Sequence, residues 1–309
     1  MVRVLLVGEE SAGIQVLRAL AASDHELVAV LTTEPTRGGG STVSAVAESL
    51  GVARLPSEAV RDAELAGFVA EQRIDLLLNV HSLFLVHPDV VRAARIGSFN
   101  LHPGPLPEYA GLNAPSWAIY NGERRHAVTL HWMDPGIDSG SIAYAASFEL
   151  TERDTGLSVS ARCVREGVRL VERLLEDAAA HPEAIPRTEQ DLSRRRYYRR
   201  AEIPDEGRIV WTRPARRIVD LVRASDYLPF PSPWGIPSTR LGELEFGIVK
   251  ASRTGASADA PPGTVGDGED ADLLVAAADE WVRVQRVVAN GKVCPAGDVL
   301  APGARLCEG

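Results

Sequence analysis

Apolar residues in the first half of the chain come in short dense runs. Residues 2–7 form one, interrupted only by Arg3 and closed by Gly8; residues 27–31 and 74–80 form two more. Such runs predict strands covered on both faces, because a half-exposed strand alternates apolar and polar positions. Between them the spacing becomes helical over residues 11–20 and again around residues 60–72. Strand and helix alternating at this interval predict βαβ units and a parallel sheet. Gly38, Gly39, Gly40 and Ser41 punctuate the start of a further helix, so residues 32–41 read as a surface loop. Residues 128–133 and 142–148 read as later strands on either side of the turn Asp134-Pro135-Gly136. Leu157, Val164, Val168, Val171 and Leu175 then recur at helical spacing within residues 155–180 and close the first domain.

Beyond that helix the pattern changes. Residues 194–200, RRRYYRR, form a basic and aromatic connector that reads as a solvated linker or, alternatively, a contact for an acidic partner or RNA. After Gly207 come short β-like runs at residues 245–249, 273–276 and 281–288, with Gly and Pro turns between them. Short strands of this kind predict a small barrel-like domain, with residues 254–263, TGASADAPPG, as an exposed loop within it. The predicted fold is therefore α/β. A Rossmann-like domain with a parallel-rich sheet spans residues 1–190, a linker spans 191–206, and a small β-rich domain spans 207–309.

Composition narrows the function classes. At 309 residues and 45% hydrophobic content the chain can bury a sizeable core. A formal net charge of -9 gives no general attraction to nucleic acid or an anionic membrane. No apolar run approaches the ~20 residues needed to cross a bilayer, and the start MVRVLLVGEE lacks the ordered regions of a secretory leader, so a cytoplasmic location is expected. Cys163, Cys294 and Cys307 are odd in number and lack CxxC spacing, which indicates neither a disulfide framework nor a zinc site.

Candidate chemistry concentrates in residues 98–111, SFNLHPGPLPEYAG, and 134–140, DPGIDSG. Asn100 and His102 are two apart, so on an extended backbone both point to one face. Pro103, Pro105 and Pro107 stiffen the loop that follows. These residue types suit acyl transfer to nitrogen, because an amide and an imidazolium can hydrogen-bond the oxyanion formed when an amine attacks a carbonyl carbon. A carboxylate such as Asp138 can orient the imidazole, raise its pKa and assist removal of the amine proton. No metal is required.

The chain resembles the formyltransferase family that uses 10-formyltetrahydrofolate. The family pattern N-x-H-x-x-x-L-P is matched by Asn100, His102, Leu106 and Pro107, with Gly111 following. A D-x-G-x-D-x-G turn is matched by Asp134, Gly136, Asp138 and Gly140. Residues 207–224, GRIVWTRPARRIVDLVRA, are similar to the segment opening the small C-terminal domain of the tRNA and sugar enzymes of this family. The resemblance implies Asn100, His102 and Asp138 as catalytic residues. It implies that the pteridine of the folate sits on Leu83, Phe84, Leu85 and Val86 and on the turn Met133, Asp134, Gly136 and Ile137. The acceptor is expected near Glu9, Glu10, Ser11, Leu106 and Pro107.

Where family members that bind phosphorylated substrates have a small polar loop after the first strand, this chain has Gly8-Glu9-Glu10-Ser11. Two carboxylates at a helix N-terminus complement its dipole but repel phosphate, which favours an amine-bearing or uncharged acceptor. Gly104-Pro105 departs from the serine and leucine common there. His81 is placed to line the pocket; His87, His126 and His131 read as structural or exposed, and Trp117 and Tyr120 as helix contacts behind the active loop.

The expected function is N-formylation of a small-molecule amine in specialised metabolism, such as an amino sugar, an amino acid or an aminoacyl group on a carrier protein. Formylation of methionyl-tRNA is the alternative enzyme reading, and a non-catalytic folate-binding module the alternative of another class.

Overall fold

The computed structural model describes residues 1–34, 41–82 and 84–308. Gly38, Gly39 and Gly40 of the expected loop, and Leu83 of the expected pteridine site, lie outside the described residues. By internal contacts the chain forms two compact units: Met1–Gly111, His126–Phe148 and Ala161–Tyr197 in one, and Leu112–Arg125, Glu149–Ser160 and Tyr198–Gly309 in the other.

The elements of the first half run β1 (Arg3–Gly8), α1 (Glu10–Ala21), β2 (Glu26–Thr32), α2 (Val43–Ser49), β3 (Arg54–Pro56), a 3-10 turn (Ser57–Arg61), α3 (Leu65–Glu71), β4 (Leu76–Val80), α4 (Pro88–Ala93), β5 (Gly97–His102), β6 (Ala110–Gly111), α5 (Ala114–Tyr120), β7 (Arg125–Trp132), β8 (Ile142–Glu149) and α6 (Gly156–Ala180). Their seven-stranded sheet has the order β3-β2-β1-β4-β5-β7-β8. The run from β3 to β5 is parallel, and β7 lies antiparallel to β5. The parallel-rich α/β fold expected from the apolar runs is present. Leu5, Val7, Leu31 and Leu77 are buried together, and full burial of one such side chain contributes on the order of 2 kcal/mol. Strand order reverses at β1, so the carboxyl ends of β1 and β4 mark the topological switch point, where sheets of this type place ligands.

Two local readings change here. The expected helix around residues 60–72 is a 3-10 turn followed by the shorter α3, because Asp62 takes an extended backbone and its side chain accepts the Glu64 N–H at 2.9 Å. In α6 the buried stripe is Val159, Cys163, Gly167, Leu170, Val171, Leu174, Leu175 and Ala178, so Val171 and Leu175 lie in it as expected, while Leu157, Val164 and Val168 are only half-buried. Gly167 is what offsets the stripe: a Cβ there would lie 2.8 Å from the Leu101 side chain, so its absence lets the helix approach β5.

Further along the chain, the two-residue β9 (Tyr197–Tyr198) and α7 (Ala215–Ala224) precede β10 (Ser238–Leu241), β11 (Leu244–Ser257), β12 (Val265–Gly266), β13 (Leu273–Ala276), β14 (Glu280–Ala289), β15 (Lys292–Pro295) and β16 (Cys307–Glu308). β10 to β16 form an antiparallel sheet around a core that includes Ile209, Trp211, Ile218, Phe246, Ile248 and Val284. Register shifts along β11 increase its twist and curl the sheet, giving the β-rich half-barrel expected. β11 runs through Ser257, so the loop expected over residues 254–263 is shorter. Thr254 and Gly255 are retained in the strand by hydrogen bonds to the Trp281 carbonyl and the Glu280 carboxylate. Among the described residues no helix is long and apolar enough to cross a membrane.

Candidate active site

The site begins with register. β5 pairs Asn100 with Asn79 on β4 and with His131 on β7, so three polar side chains form a row across the sheet. The Asn79 amide donates to Asn100 Oδ1 at 2.8 Å, which orients the Asn100 amide and turns its two N–H groups the other way. One reaches His131 Nε2 at 3.0 Å and the other Asp138 Oδ1 at 3.2 Å. His131 Nδ1 faces the Trp132 carbonyl at 2.8 Å, which can only accept, so His131 carries its proton on Nδ1 and receives the Asn100 amide on Nε2. Of the two readings of His131, structural or exposed, the exposed one is corrected: it is 3% exposed and touches both Asn100 and Asp138.

His102 ends β5. Its Nε2 lies 2.6 Å from the Tyr109 carbonyl and therefore bears a proton. Its Nδ1 lies 3.6 Å from Asp138 Oδ2, an ion-pair distance rather than a hydrogen bond. The loop between His102 and Tyr109 is tied from β7, where His126 Nε2 donates to the Pro103 carbonyl at 2.9 Å and Thr129 Oγ1 to the Gly104 carbonyl at 2.7 Å. Leu106 and Pro107, expected near the acceptor, are buried in this loop.

Asp138 is supplied by the turn after β7. Asp134 Oδ1 accepts the Gly136 N–H at 3.1 Å and the Ser139 hydroxyl at 2.8 Å, closing the turn. A Cβ on Gly140 would lie 1.9 Å from the Trp132 carbonyl oxygen, so only glycine fits. Asp138 has φ 53°, a left-handed conformation that costs a non-glycine residue on the order of 1 kcal/mol and points its carboxylate at β5. There Oδ2 also accepts the Gly111 N–H at 2.8 Å.

Electrostatics separates the pair. Burial opposes ionisation of Asp138, but the His102 imidazole, the His131 contact and the Gly111 N–H outweigh it and hold the carboxyl well below its ordinary range. For His102 burial is the largest influence and lowers its pKa; the Asp138 carboxylate and the Tyr109 carbonyl oppose this without cancelling it. Asp138 thus raises the imidazole pKa, as expected, but burial outweighs it, because a fully buried cation loses its hydration.

Two further sets of predicted residues are placed by the structure. Phe84, Val86 and Met133 pack on one hydrophobic cluster, while their sequence neighbours Leu85, 70% exposed, and Ile137, 37% exposed, present apolar surface to solvent. At the end of β1 the carboxylates diverge. Glu9 is buried and its oxygens accept the Thr33 N–H at 2.7 Å and the hydroxyls of Thr32 and Thr33, so it ties β1 to β2 and is not open to an acceptor as expected. Glu10 and Ser11 are exposed; Glu10 has φ 56° and lies 3.3 Å from His81, itself at φ 57°.

These features define an α/β group-transfer enzyme with its polar cluster at the carboxyl edge of the sheet. The family profile described as Formyl transferase matches residues 2–175, and that described as Formyl transferase, C-terminal domain, matches residues 203–302. The chain is 32% identical over 277 residues to the methionyl-tRNA formyltransferase of Anaeromyxobacter sp. (strain K), covering 86% of this chain and 84% of that protein. It is 31% identical over 317 residues to the methionyl-tRNA formyltransferase of Caulobacter vibrioides (strain NA1000 / CB15N), covering 99% and 98%. In fold it is similar to the N-formyltransferase from Helicobacter canadensis in complex with folinic acid and dTDP-3-aminofucose, with TM-score 0.69, 18% identity and coverage of 94% of this chain and 99% of that one. HypX from Aquifex aeolicus shares the fold at TM-score 0.66 and 21% identity, over 97% of this chain and 47% of that one. The chain belongs to the formyl transferase family. It is an enzyme that takes its formyl group from 10-formyltetrahydrofolate.

Proposed function

We propose that the enzyme formylates the amine of an unphosphorylated small molecule: an amino sugar, an amino acid, or an aminoacyl group held on a carrier. The observation that carries this reading is Glu10, an exposed carboxylate at the N-terminus of α1, beside the carboxyl ends of β1 and β4. Its hydrogen bond to His81 lowers its pKa and keeps it anionic, so this corner attracts an ammonium group and repels a phosphate.

Asn100, His102 and Asp138 perform the transfer. As the neutral amine attacks the formyl carbon, the Asn100 N–H that hydrogen-bonds Asp138, the longer of its two donor bonds, turns its hydrogen bond to the oxyanion and keeps its proton. The amine proton passes to His102 Nδ1, and ionised Asp138 stabilises the imidazolium that results. His102 returns that proton to the departing folate nitrogen. Phe84, Leu85, Val86, Met133, Asp134, Gly136 and Ile137 hold the pteridine, the apolar ones by covering its faces.

Transfer to methionyl-tRNA is the second reading, favoured by relatives of that name aligned along nearly the whole chain. The test is mass spectrometry of free amines, amino sugars, aminoacyl carriers and methionyl-tRNA incubated with enzyme and 10-formyltetrahydrofolate. We expect a gain of one carbonyl on a small-molecule or carrier-bound amine. Formylation of methionyl-tRNA with none of the other acceptors overturns the proposal.

A further inference from the structure

Residues 186–196 were expected to be the end of a domain and the start of a linker, yet they run as a strap over both loops of the candidate site. Trp132 Nε1 donates to the Pro186 carbonyl at 2.8 Å, and the Arg187 guanidinium sits 3.4 Å from the Trp132 ring centroid. Thr188 and Ile142 exchange two backbone hydrogen bonds. On the loop after His102, Arg194 pairs with Glu108, the Arg196 N–H donates to the Pro107 carbonyl, and the Arg196 carbonyl accepts the Ala110 N–H. Between these anchors Gln190 Nε2 donates to the carbonyls of Asp138 at 3.0 Å and Gly140 at 2.6 Å, and Arg195 Nη2 donates to the Ile137 carbonyl at 2.5 Å. Both partners of Gln190 can only accept, which fixes its amide with the nitrogen inward.

We infer that Gln190 is a positioning residue for formyl transfer: by clamping the carbonyls of Asp138 and Gly140 it holds the left-handed turn that presents Asp138 to Asn100 and His102. The turn needs such support, because a non-glycine residue in this conformation relaxes unless its surroundings over-determine it. Three carbonyls of one short turn, those of residues 137, 138 and 140, are bound from the strap, so the strap sets where the carboxylate points. The inference rests on the reading of Asp138 as catalytic.

The test compares Gln190→Met, which keeps length but loses the donor, with Gln190→Lys, which restores a donor of similar reach. For Gln190→Met we expect kcat to fall on the order of tenfold to a hundredfold, as for a small misplacement of a reacting group, with KM for the formyl donor little changed. The limb of the kcat pH profile set by His102 should also move to lower pH, because a displaced Asp138 no longer supports the imidazolium. Loss of folded enzyme alone would lower kcat without moving that limb. Gln190→Lys should recover most of kcat and the limb position. Wild-type kcat and profile in Gln190→Met, or equal loss in both variants when both are folded by circular dichroism, overturns the inference. Asp138→Asn separates the two readings: if it stays active, the catalytic assignment fails; if it is inactive while Gln190→Met is unaffected, only the role of Gln190 fails.

Discussion

A histidine buried beside an ionised aspartate has two opposed influences on its charge, and at His102 burial is the larger. The imidazole is therefore ready to accept a proton at neutral pH, and in the proposed mechanism the ion pair with Asp138 forms when the amine gives its proton up. Replacing His102 or Asp138 with Asn is expected to lower kcat by roughly 10²- to 10⁴-fold, the usual contribution of a positioned proton-transfer group. Folate affinity should be largely retained, since the proposed mechanism has both residues act on charge that develops during transfer. Single-turnover rates and equilibrium folate binding on the two variants check this, and wild-type rates in either contradict the mechanism. Asn100 and His102 were legible because their spacing and the proline loop lie in one short segment. His131 was not, although it is an equal neighbour of Asn100, because the register of β5 against β7 brings together residues 31 apart and no local pattern marks that pairing.

Elements carry these residues, and two of them make sharp stability predictions. Gly140→Ala places a Cβ against the Trp132 carbonyl, so the turn must open; destabilisation on the order of 1–3 kcal/mol is expected from the forced backbone shift, with a parallel loss of activity. Thermal melting and kcat on the same preparation check both. On β7, burial pushes the His126 pKa down from 6.5 to about 4, with its bond to the Pro103 carbonyl opposing that only in part. The unfolded chain then binds the extra proton first as pH falls, so stability present above pH 6.5 is lost toward pH 4, by up to about 3 kcal/mol. A Tm series across that range should slope downward with acid in the wild type and flatten in His126→Gln; identical slopes would remove His126 as the cause. Apolar runs marked the strands well, since burial on both faces leaves a plain signature. Helix details were read less well: Asp62 interrupts the stretch around residues 60–72 through its own side-chain bond, and the close approach of Gly167 to Leu101 decides which stripe of α6 is buried.

For the molecule as a whole, the net charge of -9 bears on the choice of acceptor. A small or carrier-bound amine should show a KM that changes less than about twofold between 50 and 200 mM salt, whereas a nucleic-acid acceptor held by several phosphate contacts loses affinity by orders of magnitude over that range. Steady-state kinetics at a series of salt concentrations distinguish them, and a steep rise in KM for the best acceptor would favour tRNA. Sequence alone determined the α/β plan, the β-rich second half and the family, and singled out Asn100, His102 and Asp138 as candidates, because each is written in local periodicity or in a short motif. Tertiary structure alone decided that Glu9 is consumed by Thr32 and Thr33, that His131 completes the polar row, that burial leaves His102 neutral, and that the strap at Gln190 lies across the Asp138 turn. Each of those depends on contacts between segments far apart along the chain and on how much water the fold excludes from them, and neither quantity exists until the sheet has closed.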